Sequence, residues 1–257
     1  GGSESDNHAI IGAALAHMGR GKHVVTSRIE HPAVINTCRY LEDRLGFTVT
    51  YLPVDRYGLV DPQAVRRAIR PETVLVTIMH ANNEVGTIEP IEEIGAVARE
   101  RGVLFHTDAA QSVGKVEVNV EKLNVDLLTV AGHKVYAPKG IGALYVRRGV
   151  TIDQFVHGAG QEGGRRAGTE NVPYMVGLGT ACDIALRTLR DFGARAQALR
   201  ERLHRSLLGG LGEEAVRLNG HAERRLPNTL NVSVRGIVGE ELLRATPELA
   251  ASTGSAC

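Results

Sequence analysis

Between residues 23 and 147 short apolar runs alternate with longer amphipathic stretches, and that alternation restricts the fold more than any other feature of the chain. The runs at 23–27, 48–52, 73–79, 103–107, 127–130 and 143–147 have the length and composition of strands. Helical patterns precede and separate them: 4–18, with Ile10, Ile11, Ala14, Leu15 and Met18 on one face, then 32–45, a helix opening at Asp61, and 91–101. Pro32 and Pro62 stand at first helical positions, and Gly19, Gly46 and Gly102 stand at stops. A strand–helix–strand order of this kind predicts an α/β protein with a mainly parallel sheet and helices on both faces. After Asn171 the texture changes. One long helical pattern covers 172–208 and becomes rich in Arg and Ala near Leu189. The expected division is a large domain at 1–189 and an incomplete smaller α/β domain at 190–257, with a strand at 229–234.

Bulk properties exclude several classes. The 257 residues carry 30 basic and 29 acidic side chains, a net charge of +1, so no basic field invites nucleic acid. Trp is absent and aromatics are 4%, which argues against base stacking. No apolar run is long enough to span a membrane. The cysteines, Cys38, Cys182 and Cys257, are odd in number and form no CxxC pair. That speaks against a disulfide framework or zinc site and for a reducing, cytoplasmic setting. The 10 histidines are scattered without ligand spacing, so no metal site is expected. The chain opens on Gly1 and closes on Cys257, and the reading places both ends inside a longer protein.

Reactive side chains follow the carboxyl ends of the strands. His31 follows 23–27; Asn82, Asn83 and Glu84 follow 73–79; Asp108 and Gln111 follow 103–107; Lys134 follows 127–130. In an open parallel sheet these ends line the edge where ligands bind. A lysine at the mouth of an apolar strand gives up its charge more readily than an exposed one, and a neutral amine can attack a carbonyl. Asp108 can hold a proton on a ring nitrogen, His31 can stack on a ring and handle protons, and Gln111 and Asn83 can bond a ring hydroxyl or a carboxylate. The N–H groups of Gly2 and Ser3, opening the first helix, suit a phosphate. Each residue alone has an ordinary reading as a cap or turn; together they match the parts of pyridoxal 5'-phosphate.

The stretches that carry these residues resemble the cysteine desulfurases, pyridoxal-phosphate enzymes of the fold type I, class V aminotransferase superfamily. They are Ser3-Glu4-Ser5-Asp6-Asn7, Glu30-His31-Pro32, His80-Ala81-Asn82-Asn83-Glu84, His106-Thr107-Asp108-Ala109-Ala110-Gln111, Gly132-His133-Lys134 and Arg166-Ala167-Gly168-Thr169. Asn228 to Asn231 and Ser252-Thr253-Gly254-Ser255-Ala256-Cys257 complete the set. The resemblance implies a sheet of the seven-stranded type in the large domain. It implies Lys134 as the Schiff-base lysine, Asp108 on the pyridine nitrogen, His31 on the ring, and Gln111 and Asn83 near the ring oxygen and substrate. Gly2, Ser3, Ala131 and His133 border the cofactor in the same picture, and Thr169 reaches the phosphate of a neighbouring subunit, so a homodimer is expected. Cys257 becomes the nucleophile that takes sulfur from L-cysteine, releasing alanine, with His31 as candidate proton acceptor. The persulfide then passes to an iron–sulfur scaffold or another sulfur carrier, where Cys257 can contact an iron–sulfur cluster. Relatives more often have threonine at position 3 and serine at position 131; Thr129 or the first helix's amides are expected to compensate for Ala131. The arginine that clamps the substrate carboxylate in relatives would lie beyond Cys257. The alternatives are selenocysteine lysis or transamination on the same fold, and a non-catalytic partner in sulfur transfer. Cys38 and Cys182 read as core residues.

Overall fold

The structure, a computed structural model, describes residues 1–254. Its main sheet is built from β1 (His23–Ser27), β2 (Thr48–Leu52), β3 (Thr73–Thr77), β4 (Leu104–Asp108), β5 (Leu127–Ala131) and β6 (Gly142–Val146). The spatial order is β2-β1-β3-β4-β5-β6. All neighbours run parallel except β6, which turns back antiparallel on β5. Among the described residues the sheet holds the six strands that the apolar runs supply. The remaining strands among the described residues, β7 (Val216–Leu218) and β8 (Val232–Val234), pair with each other.

Strands β1 and β3 are buried along their whole length, so alternate residues feed two different cores. Val25, Val76, Phe105 and Leu128 pack under α3 (Pro62–Ala68) and α4 (Ile91–Glu100). Val24, Leu75 and Leu127 pack under α1 (Gly2–His17) and α2 (Pro32–Leu45). Each fully buried aliphatic side chain contributes about 1.5–3 kcal/mol against exposure. Helix α2 starts at Pro32 with His31 as its cap and stops at Gly46, which takes the left-handed conformation (φ 68°).

Helix α1 departs from the expected single stripe. Its buried apolar residues are Ala9, Ile10, Ala13 and Ala14, whereas Met18 lies just past its end and is exposed. The helix packs against β3, β4, β5, β6 and α2 together, so small residues are needed on several sides and amphipathic periodicity is lost.

Helix α5 (Val172–Leu211) is continuous through Leu189, and none of its 40 residues is buried. Cys182 is accordingly half-buried rather than in a core, while Cys38 is fully buried on α2 as expected. Beyond α5 come the β7–β8 pair and α6 (Gly239–Ala245). The strand expected at 229–234 shortens to Val232–Val234, because Thr229 is used instead as a wall against the backbone of Gly86.

This small lobe grips the loop after β3. Arg225 Nη2 donates to Val85 O at 2.8 Å and to Asn219 O at 2.9 Å, and Leu226 N donates to Gly86 O at 2.8 Å. Asn231 Nδ2 donates to Glu84 O at 3.0 Å, and His221 N donates to Thr87 Oγ1 at 3.0 Å. Gly86 has φ 77°, and an added Cβ would sit 2.8 Å from Thr229 Cβ, so only glycine fits this grip.

Candidate active site

Asp108 ends β4 and is buried. Its Oδ1 accepts from Ala110 N at 2.9 Å, and its backbone oxygen accepts from His80 N at 2.8 Å. Burial raises its carboxyl, and the Ala110 N–H, then His31 and Lys134, pull it only part of the way back. These three residues, placed by three different strand ends, thus share one electrostatic site.

Lys134 lies in the short 3-10 turn Gly132–Val135 that leaves β5, and it is half-buried. Gly132 N donates to Ile141 O at 3.1 Å, and Ala137 N donates to Gly132 O at 3.0 Å, closing the turn. A Cβ at Gly132 would meet Ile141 O at 2.7 Å. Tyr136 follows in the left-handed region (φ 65°), exposed over 90% of its surface. His133, beside the lysine, is exposed, and its ring is pushed down by partial burial and by the neighbouring lysines.

His31 caps α2: Ala33 N–H donates to its Nδ1 at 3.1 Å. That bond fills the Nδ1 lone pair, so the neutral ring carries its hydrogen on Nε2. The ring borders a groove of about 680 Å³ shared with Ser3, Asn7 and Tyr40. The start of α1 is laid across the end of β5, where a Cβ at Gly2 would be 3.1 Å from Ala131 Cβ. The Thr129 side chain lies beside Ala131 on β5. Its hydroxyl points inward, 2.9 Å from Ser5 Oγ and 3.0 Å from His106 Nε2.

Thr169 is exposed, three positions from Arg166. Arg166 Nε donates to Glu4 Oε1 at 2.8 Å and ties this segment to the first turn of α1; that bond is the main reason the Glu4 carboxyl is lowered. Asn82, rather than Asn83, organises the loop after β3: its Oδ1 accepts from Glu84 N and Val85 N, each at 2.9 Å, and its Nδ2 donates to Ile29 O at 3.2 Å. Asn83 is half-buried and donates to Glu84 Oε1 at 3.0 Å. Gln111 is half-buried, and its backbone oxygen accepts from Lys115 Nζ at 2.9 Å. Cys257 lies outside the described residues.

Sequence reasoning missed two charged groups here. Lys115 is pushed down to about 8, first by burial and then by Lys134. Glu30 is buried at the mouth of β1, where its Oε1 accepts from Ser27 Oγ at 2.5 Å and from Met79 N at 3.1 Å. Burial pushes it up to about 8. The one available signal was the Ser27/Glu30 spacing beside His31. Glu30 also borders a second cavity of about 940 Å³, between the strand-end loops and the small lobe, with Arg28, Asn82, Glu84, Asn219 and Asn231. Among the described residues no group of three His, Cys, Asp or Glu side chains gathers to hold a metal ion.

A lysine on a turn beyond β5, an acid at the end of β4 and a helix start beside them define the class. The chain belongs to the aminotransferase class-V family, whose match runs over residues 1–257. Within that family it goes with the cysteine desulfurases. It is 52% identical over 259 residues to a cysteine desulfurase IscS of Methanosarcina thermophila, covering 100% of this chain. It spans 63% of that relative and 65% of an IscS from Dictyoglomus turgidum, less than two-thirds of each. Among solved structures, a NifS-like protein superposes with TM-score 0.87 at 38% identity, over 96% of this chain and 67% of that one. A structure of SspA in complex with cysteine superposes with TM-score 0.83 at 42% identity, over 100% of this chain and 71% of that one.

Proposed function

We propose that the chain is that of an L-cysteine desulfurase, working with pyridoxal 5'-phosphate in the cytoplasm. The observation that carries this reading is the meeting of Lys134, Asp108 and His31 at the strand ends. The residues fit the cofactor: an amine on a turn for the aldehyde, a buried acid for the ring nitrogen, an imidazole at a helix cap for the ring face, and the N–H groups of Gly2 and Ser3 for the phosphate. When bound, the cofactor supplies the aldehyde that links to Lys134 and a ring that accepts electrons from the substrate Cα.

The remaining steps belong to the chain. Asp108 holds the ring nitrogen protonated by presenting a carboxylate in a dry setting. Lys134 carries the proton between substrate carbons as general base and then acid. His31 presents Nε2–H to the site and can take a proton at Nδ1 only by releasing Ala33 N–H. Gln111 and Asn83 orient the ring oxygen and the substrate carboxylate. The Cys257 thiolate attacks the substrate sulfur; the new S–S bond forms as the substrate C–S bond breaks, and the electron pair left on carbon takes a proton to give alanine. The persulfide on Cys257 then goes to an iron–sulfur scaffold or another sulfur carrier.

We also infer a homodimer in which Thr169 reaches the partner's cofactor phosphate. The exposed apolar residues Tyr174, Met175, Val176 and Ile184 on α5 support it. The division near Leu189 is part of this reading.

Addition of pyridoxal phosphate to the protein should give a visible absorbance band that Lys134→Ala lacks, and with a thiol reductant present to cleave the persulfide, L-cysteine should yield sulfide and alanine. Cys257→Ser should keep the band and lose sulfide release. A band that persists in Lys134→Ala, or sulfide release that persists in Cys257→Ser, would overturn the respective assignment.

A further inference from the structure

Beneath Asp108 lies a second acid that the proposed reaction leaves unused. Helix α1 lays Asp6 against β4 and β5, where it is 2% exposed. Burial and Asp108 push its carboxyl up, and the Thr129 hydroxyl nearby pulls it down. The Oδ1 atom has no hydrogen-bond partner and stands 3.7 Å from His106 Nε2.

His106 is a poor counter-cation for it. The ring is fully buried, with Nδ1 2.8 Å from Thr77 Oγ1 and Nε2 3.0 Å from Thr129 Oγ1. Burial holds it down at about 3, so it is neutral wherever the protein works. The titratable groups besides His106 that face Asp6 are Asp108 from β4 and Glu30 from the loop after β1, and both are acids. Asp108 differs in having His31 and Lys134 opposite it. Two carboxyls in one dry pocket do not both ionise, and the proton stays with the one that lacks a cation.

We propose that Asp6 is a positioning residue that keeps its proton and leaves Asp108 as the single carboxylate under the ring position. This deepens the reading of Asp108 given above and rests on it. A charged Asp6 would add a second anion beside the first, making Asp108 harder to ionise and the pocket harder to keep folded.

The sign of the pH dependence follows. Burial, then Asp108, raises the Asp6 carboxyl well above its ordinary range in the folded protein. The folded state therefore binds this proton more tightly than the unfolded one. Stability from this group is complete below the ordinary aspartate value of about 3.9 and is lost as pH climbs toward the folded value.

Asp6→Asn keeps the shape and removes the ionisation. Without cofactor, its Tm near pH 8 should exceed wild type by roughly 3 °C, and the difference should close as pH falls toward about 4. Asp6→Ser should show the same pH-dependent rise on top of a constant loss, and serves if the amide variant folds poorly. A difference that is flat with pH in both variants, whatever its sign, overturns the proposal. Pyridoxal phosphate titrated into Asp6→Asn should bind within about fivefold of wild type, and weaker binding means Asp6 supplied negative charge, which also overturns it. If wild type itself forms no Lys134-dependent band, the reading of the site fails, while the Tm comparison still decides the state of Asp6.

Discussion

Strand β4 and helix α5 are opposites within one chain. Four of the five residues of β4 are buried, and its final residue is the acid of the site. The 40 residues of α5 include none that is buried, although Val176, Leu186 and Leu203 are apolar and more than half exposed. Strand β4 is held by neighbours on both sides and by helices above and below, so its conformation is over-determined. Helix α5 is held by its own backbone hydrogen bonds and by modest contact with the Lys134 turn and β7. Chemistry that needs sub-ångström placement sits on the first kind of element, and surfaces open to other molecules sit on the second.

The sharpest test of this contrast is a cavity at its buried end. Phe105→Ala, at a site with 0% exposure, should cost about 3–5 kcal/mol in chemical denaturation, and a loss below about 1 kcal/mol would mean the sheet centre repacks freely. Next comes the junction between the two regimes. Arg225→Met removes both bonds that tie Val85 and Asn219 together and should cost about 1–3 kcal/mol. Amide exchange across 83–88 should speed up while that of β4 stays unchanged; equal acceleration in both would show that the small lobe supports the whole sheet. The smallest effect belongs to the open end. Leu203→Ala, at 52% exposure, should change stability by no more than about 0.5 kcal/mol, and a larger loss would reveal that a second copy covers this stretch.

Legibility in the sequence follows the same division. Strands buried on both faces, such as β1 and β3, appear as unbroken apolar runs, shorter apolar runs mark the edge strands β2 and β6, and caps such as Asp61 with Pro62 mark helix starts. Helix α1 is less legible in detail because a helix buried on several sides loses its stripe. The positions of Lys134, Asp108 and His31 at the sheet edge could be read because each lies at or just after a strand end. Glu30, Asp6 and Lys115 were not. Burial of an acid or a lysine depends on what other segments bring over it, and nothing in its own neighbourhood of sequence signals that. The grip of Arg225 on the loop after β3 joins positions 140 residues apart and escapes local reading for the same reason.

Tyr136 shows how far such remote support reaches. A left-handed backbone costs an L-residue roughly 1–2 kcal/mol, and an almost wholly solvated ring recovers nothing from packing. The geometry is imposed by the seat of Gly132 on Ile141 and by the hairpin that joins β5 to β6. A peptide excised around the lysine would relax to another shape and lose its aim. The pose of the lysine proposed to hold the cofactor is therefore a property of the assembled sheet, and grafting its local motif onto a foreign scaffold would transplant the letters without the pose.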